Sequence, residues 1–280
     1  LGLARQSGRP VALICTSGTA AANYLPAVVE AHAARVPLLV LTADRPPELR
    51  EWGAGQTIDQ VGLYGAFVRR FVELPLPTGG ARALRYARSL ACRAVADARG
   101  GPAGPVHLNW PLREPLEPGE TPPASSVGRQ GAGEAHSEQA WATVAPGIAI
   151  PPASEVEALL EISRRWERGL LVCGPLAPDP RRSAAIARLA KLTGWPVVAD
   201  PTSQLRRGPH VDGARILGLA DLLLRDSVIA QGWAPDVVVR IGDAPVGKAL
   251  RLALEARPPE HFVLVDPCLL YTSPSPRDRG

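Results

Sequence analysis

The stretch Val11-Ala12-Leu13-Ile14-Cys15-Thr16-Ser17-Gly18-Thr19, continued by Pro37-Leu38-Leu39-Val40-Leu41-Thr42, decides the fold. An unbroken apolar run ending in a Ser/Gly/Thr turn suits a strand buried on both faces of a parallel sheet. A helical pattern from about residue 20 to 34 and a second apolar run complete a strand, turn, helix and strand, the unit that parallel pairing requires. Asp44-Arg45-Pro46-Pro47 stops the second strand, because proline neither donates to a ladder nor continues a helix. A loop bearing Gly53, Gly55 and Gly62 follows, then an amphipathic helix from about 78 to 99 and a third strand, Pro105 to Trp110.

Further out, residues 117–152 shift to Gly, Pro, Ser, Ala and Gln without apolar period, the composition of a linker. Beyond it the alternation resumes: helix 155–166, strand 169–174, helix 181–193, and strands 196–200, 236–242 and 261–266. The pattern predicts the α/β class, with two doubly wound parallel-sheet domains at residues 1–116 and 153–267. The segment 268–280, rich in Ser and Pro and without period, reads as a non-native tail of the kind a cloning adapter leaves. The sequence holds no Met, and Leu1 to Arg5 read as the back half of a helix, so the chain is expected to be a fragment.

Composition narrows the function classes. The 280 residues are 46% hydrophobic and 21% charged, an ordinary globular balance. The net charge of +4 comes from 31 Lys and Arg against 27 Asp and Glu, without a block of like charge. No polybasic arm for nucleic acid is present. No apolar run approaches the ~20 residues that span a bilayer, and the first residues do not form a secretory leader. The four cysteines lie far apart without a CxxC pair, which points to reduced thiols and no zinc site. The expectation is a soluble, cytoplasmic protein with no membrane or nucleic-acid partner.

In open α/β sheets ligands bind beyond the carboxyl ends of the strands. Thr16-Ser17-Gly18-Thr19 offers hydroxyls and backbone N–H groups there, suited to a phosphate or a polar heterocycle, or merely to capping the next helix through Ser17 or Thr19. Asn23 lies one turn on. Asp44-Arg45-Pro46-Pro47-Glu48-Leu49 reads either as a rigid mount for a guanidinium, the residue for gripping a carboxylate, or as a surface turn. Gly53-Ala54-Gly55-Gln56 adds one free carboxamide. In the second half, Gly242 to Lys248 again follows a strand and opens a helix. Lys248 is one of only two lysines, either a ligand for an anion or a solvated first-turn residue. Arg206 follows another strand-end loop, and His107 sits inside a strand as a packed core residue. No Ser/His/Asp, HExxH or paired-carboxylate pattern stands out.

Together, Thr16 to Asn23, Leu41 to Leu49, Gly53 to Gln56, Gly104 to Asn109 and Leu192 to Val197 with Ser203-Gln204 resemble the 2-succinyl-5-enolpyruvyl-6-hydroxy-3-cyclohexene-1-carboxylate synthase family over about residues 1–267. The resemblance implies a thiamine-diphosphate transferase of menaquinone biosynthesis. Its members decarboxylate 2-oxoglutarate and add the succinyl carbanion to isochorismate. It implies Gly18, Thr19 and Asn23 as cofactor-binding residues and Arg45, Gln56 and Lys248 as substrate-binding residues. Gly55 stands where the family has Asn, and Ala249 where some members carry Arg. It also implies that the catalytic glutamate precedes Leu1 and that the Mg2+ and diphosphate site belongs to a third domain after Pro267. The fragment alone is then inactive, with no catalytic residue or metal ligand of its own, and the full-length protein is a homodimer or homotetramer. Two other readings stay open at this point: another thiamine-diphosphate 2-oxo acid decarboxylase or carboligase, and a non-catalytic two-domain binding protein.

Overall fold

The computed structural model describes residues 1–78, 80–117, 142–145, 147 and 150–266. Its contacts divide the chain into two units, Leu1–Gly147 and Ile148–Gly280. The expected tail and most of the expected linker lie outside the described residues.

The first unit contains α1 (Gly2–Ser7), β1 (Val11–Cys15), α2 (Thr19–Ala22), α3 (Leu25–Ala33), β2 (Leu38–Asp44), β3 (Arg70–Glu73), α4 (Gly80–Arg99) and β4 (Pro105–Pro111). The four strands are parallel, in the order β1-β2-β4-β3. Side chains alternate across a strand, so each strand serves two cores. Leu38 and Val40 pack with Ala4, Val28, Ala31 and Tyr64 on one face. Leu39, Leu41, Val106 and Leu108 meet Leu90, Ala94 and Ala98 of α4 on the other. Helices on both faces make the expected doubly wound sheet.

Three local expectations are corrected. β1 is an edge strand rather than one buried on both faces: α4 packs against β2 and β4, and Ile14 is left 73% exposed. The helix expected over 20–34 is two helices, because Pro26 lacks an N–H and its ring would clash with the carbonyl four residues back. β3, which sequence reading left inside a loop, is a strand of only four residues, too short to display a period.

The second unit contains α5 (Ala153–Arg165), β5 (Gly169–Cys173), α6 (Pro180–Thr193), β6 (Val197–Ala199), β7 (Ile216–Leu217), α7 (Ala220–Leu223), α8 (Ser227–Gly232), β8 (Val237–Ile241), α9 (Lys248–Ala256) and β9 (His261–Val265). All five strands are parallel, ordered β7-β6-β5-β8-β9. Leu171, Val197, Val239 and Ile241 pack with Ile186, Ala190 and Trp195 on one face, while Val172, Val198 and Val238 pack with Leu224, Leu250 and Ala253 on the other. α6 is well bounded. The Asp179 carboxylate accepts the N–H groups of Arg181 and Arg182 at 3.0 and 3.3 Å, Pro180 opens the first turn, and Gly194 closes the helix at φ +70°. Gly169 is required by contact, since a Cβ there would collide with the Trp195 indole. Burial pushes the Cys173 thiol up to about 12, so it packs as a small apolar group. Among the described residues, no helix is long and apolar enough to cross a membrane, and no group of three His, Cys, Asp or Glu is placed to hold a metal ion.

Candidate functional site

In the first unit α3 joins β1 to β2 over one face and α4 joins β3 to β4 over the other, so the winding reverses between β2 and β4. Such a reversal opens a crevice at the carboxyl ends of the two strands. Alternation decides what stands there. Thr42 and Asp44 of β2 fall on one face with His107 and Asn109 of β4 and Glu73 of β3; the register sets Thr42 and Glu73 on either side of Asn109.

Asn109, fully buried, joins them. Its Nδ2 donates to Asp44 Oδ2 and Glu73 Oε2, both at 2.7 Å, and its Oδ1 accepts from Thr42 Oγ1 at 2.6 Å and Gln60 Nε2 at 3.0 Å. All the hydrogen-bonding capacity of the carboxamide is used. Arg50 Nη2 closes the acidic end, 2.7 Å from Asp44 Oδ2 and 2.6 Å from Glu73 Oε1, while its Nε donates to the Arg45 carbonyl at 3.1 Å. Thr42 has one hydroxyl hydrogen, which its bond to Asn109 uses. The 2.8 Å contact with His107 Nε2 therefore requires the imidazole hydrogen on Nε2. Burial pulls the His107 pKa down to about 4, so the ring is neutral at pH 7, stacked edge-on to Tyr64. His107 is the packed core residue that its place in a strand suggested.

The turn after β1 docks onto this network. Gly18, at φ +82°, turns its N–H onto Gln60 Oε1 at 2.8 Å; a Cβ there would press on the Gln56 carbonyl at 3.0 Å. Ser17 Oγ donates to that same carbonyl at 2.9 Å, and Gln56 Nε2 donates to Thr16 Oγ1 at 3.0 Å and the Ser17 carbonyl at 3.2 Å. Gln56 holds the left-handed conformation at φ +59°, a state that costs a non-glycine residue about 1 kcal/mol and that these bonds retain. Thr19 and Asn23 expose their side chains beside the turn. Three hydroxyls and one carboxamide without a cation, from Thr16 to Asn23, suit a neutral nitrogen heterocycle such as an aminopyrimidine better than a diphosphate.

Arg45 adjoins the same loop. Its N–H donates to Asp44 Oδ1 at 2.7 Å and its Nη2 to the Gly55 carbonyl at 3.2 Å, while its Nε is buried without a partner. The charged pair suggested by Asp44-Arg45 is thus not an ion pair: the guanidinium that meets Asp44 belongs to Arg50. Gly18, Gln56 and Arg45 are gathered along one loop, with Thr19 and Asn23 next to them. Sequence reading missed Arg50, Gln60 and Glu73, and it quoted Asn109 without a role. The available signal was parity, since Thr42, Asp44, His107 and Asn109 are polar at alternate positions of strands otherwise apolar.

Lys248 lies in the second unit. It is the exposed first residue of α9 on the rim of a groove of about 580 Å3 between α7, α8 and α9, floored by Leu224, Leu252 and Ala253 and flanked by Arg225. Asp221 Oδ1 accepts the Ala249 N–H at 2.9 Å, capping α9 from outside the helix. The winding of this sheet reverses between β5 and β8, but the crevice is filled by the chain itself. A Cβ on Gly174 would collide with the Asp243 backbone, and Gly174 N–H donates to the Ile241 carbonyl at 3.2 Å. Asp200 holds the loop before α9 through the Val246 N–H at 3.1 Å. Its burial is outweighed by bonds from Thr202 and Val246 and by Arg206 nearby, leaving its pKa below the ordinary carboxylate value. Arg206 donates its Nε to the Ala199 carbonyl at 2.9 Å.

Comparison with known proteins gives matches in both halves of the chain. Residues 1–63 match the family described as thiamine pyrophosphate enzyme, N-terminal TPP binding domain, and residues 136–276, half of the chain, match the middle domain of thiamine pyrophosphate enzymes. Curated relatives named 2-succinyl-5-enolpyruvyl-6-hydroxy-3-cyclohexene-1-carboxylate synthase include that of Geobacillus kaustophilus, 48% identical over 95% of this chain and 44% of its own length. Those of Chloroflexus aurantiacus and Haloarcula marismortui are 45% and 44% identical over 95% of this chain, and 43% and 46% of their own lengths. The chain spans less than half the length of these relatives. It belongs to the thiamine pyrophosphate enzyme family, of which it carries N-terminal and middle-domain sequence.

Proposed function

We propose that the protein to which this chain belongs is a 2-succinyl-5-enolpyruvyl-6-hydroxy-3-cyclohexene-1-carboxylate synthase of menaquinone biosynthesis, joining 2-oxoglutarate, after loss of CO2, to isochorismate. The observation that carries the reading is Arg45: a guanidinium at the winding reversal, braced on Gly55, with a buried Nε that has no acceptor. Both substrates are dicarboxylates, and a fixed guanidinium is the group that grips a carboxylate. Bound thiamine diphosphate would supply the electron sink for decarboxylation. Arg45 of the first unit and Lys248 of the second are each assigned as a substrate ligand in this reading, and Gln56, whose N–H groups hold Thr16 and Ser17, offers its Oε1 to a substrate hydroxyl. Gly18 lets the backbone approach the pyrimidine, flanked by Thr19 and Asn23. Residues 1–116 and 153–267 are the working domains of this reading, acting in the cytoplasm within a homodimer or homotetramer. The 280 residues alone, under half the length of the relatives, are expected to be inactive.

The test is to express the complete reading frame and follow isochorismate consumption with 2-oxoglutarate, Mg2+ and thiamine diphosphate. Turnover that falls about a hundredfold in Arg45→Ala, the loss expected for one charge-assisted pair, supports the synthase and its clamp. A complete frame without turnover overturns the synthase; turnover indifferent to Arg45→Ala overturns the clamp.

A further inference from the structure

The cofactor-side turn and the backbone N–H of Arg45 are joined by an unbroken series of hydrogen bonds. Gly18 N–H donates to Gln60 Oε1 at 2.8 Å, and Gln60 Nε2 to Asn109 Oδ1 at 3.0 Å. Asn109 Nδ2 then donates to Asp44 Oδ2 at 2.7 Å, and Asp44 Oδ1 takes the Arg45 N–H at 2.7 Å. Gln60 also donates to the Ala43 carbonyl at 2.9 Å, which ties it to the end of β2. Gln60, Asn109 and Asp44 are all buried, so water cannot replace a lost partner. Every residue in the series has a fixed polarity: Gln60 must accept on one side and donate on the other.

We infer that Gln60 and Asn109 are positioning residues that couple the Gly18 turn to Arg45, so that ordering either side orders the other. The names of the two ends, cofactor and substrate, rest on the proposed function; the coupling itself is a property of this chain. Coupling between sites is reciprocal in free energy. Gln60 meets the Gly18 N–H through its acceptor and the Ala43 and Asn109 oxygens through its donors, bonds that a leucine cannot make.

Residue-resolved amide exchange on this 280-residue chain tests the inference. Gln60→Leu keeps the bulk and removes the polarity. Protection of the Gly18 and Arg45 N–H groups is expected to fall together, about tenfold or more, while Val40 and Leu108 in the adjoining strands stay within about twofold. Gln60→Glu supplies the internal control. Its carboxyl would face the Ala43 and Asn109 oxygens and, when protonated, has one hydrogen, which can bridge to Asn109 Oδ1 and restore the series. Such a carboxyl titrates above the ordinary range, so protection at both ends is expected to be near wild type at about pH 5 and lost at about pH 8. The surrounding charged and titratable groups, Asp44, Arg50, Glu73, His107 and Tyr64, are common to every variant. Loss at Gly18 alone in Gln60→Leu overturns the coupling. A Gln60→Glu chain whose protection at the two ends does not recover at the lower pH, or never changes between the two, shows a merely space-filling residue and overturns it too. Since no turnover is needed, a complete frame without synthase activity would strike the functional reading and leave this result standing.

Discussion

The two units share an architecture and treat its critical point in opposite ways. Where the winding of the first sheet reverses, Thr42, Asp44, Glu73, His107 and Asn109 meet Gln60 and Arg50 in a buried polar network. At the equivalent place in the second sheet, Gly174 lets the loop after β5 sit directly on the Asp243 backbone. One end is built from hydrogen bonds with fixed partners, the other from the absence of a side chain. A fold that offers a crevice does not oblige a protein to use it. The polarity of the strand ends separates a hydrogen-bonded end from one closed by backbone contact.

The comparison can be broken from either side. The largest effect is expected from Asn109→Leu, which takes one donor from each of two carboxylates that Arg50 still meets and leaves the Thr42 hydroxyl and one Gln60 N–H without their acceptor. A loss of about 3–5 kcal/mol, read by urea unfolding, is expected, with faster exchange in the first unit only. Next comes pH. His107 titrates near 4 when folded and near its ordinary 6.5 when unfolded, so between these values the unfolded chain binds more protons. Its contribution is complete above about pH 6.5 and is lost as pH falls toward 4, about 3 kcal/mol in all. Urea midpoints of wild type and His107→Gln should converge over that range, and parallel midpoints would exclude the effect. In the second unit the matching break is a single methyl. Gly174→Ala should cost about 2–3 kcal/mol by overpacking against backbone, again with exchange confined to its own unit. The smallest change sharpens the contrast: Asp179→Ala removes the cap of α6, an exposed interaction, and should cost about 1 kcal/mol in a thermal melt.

Much of the fold was legible because buried parallel strands announce themselves. Leu38 to Leu41, Gly169 to Cys173 and Val237 to Val239 are apolar runs, and the longer helices beside them show a period. Arg70–Glu73, Ile216–Leu217 and the short helices α7 and α8 are below that length. The exposure of β1 was invisible because Val11 to Cys15 is as apolar as a central strand; its place at the edge is set by topology. At the site, Gly18, Gln56 and Arg45 lie in segments whose composition singles them out. Arg50, Gln60 and Glu73 do not, since each looks like a surface residue until the register of β2, β3 and β4 and a loop from Gly53 onward bring them to Asn109.

The directions of the bonds around Asn109 carry a last consequence. Donors run from His107 through Thr42, and from Gly18 through Gln60, into Asn109, and from there to Asp44 and Glu73. Reversing any one step faces donor against donor or acceptor against acceptor, so no position can drift alone. Among relatives these residues should be inherited as a block: a lineage that replaces Asn109 should have replaced Gln60 and Thr42 as well, whereas Gly174 and Asp243 are free to change by any pair that preserves the space between them.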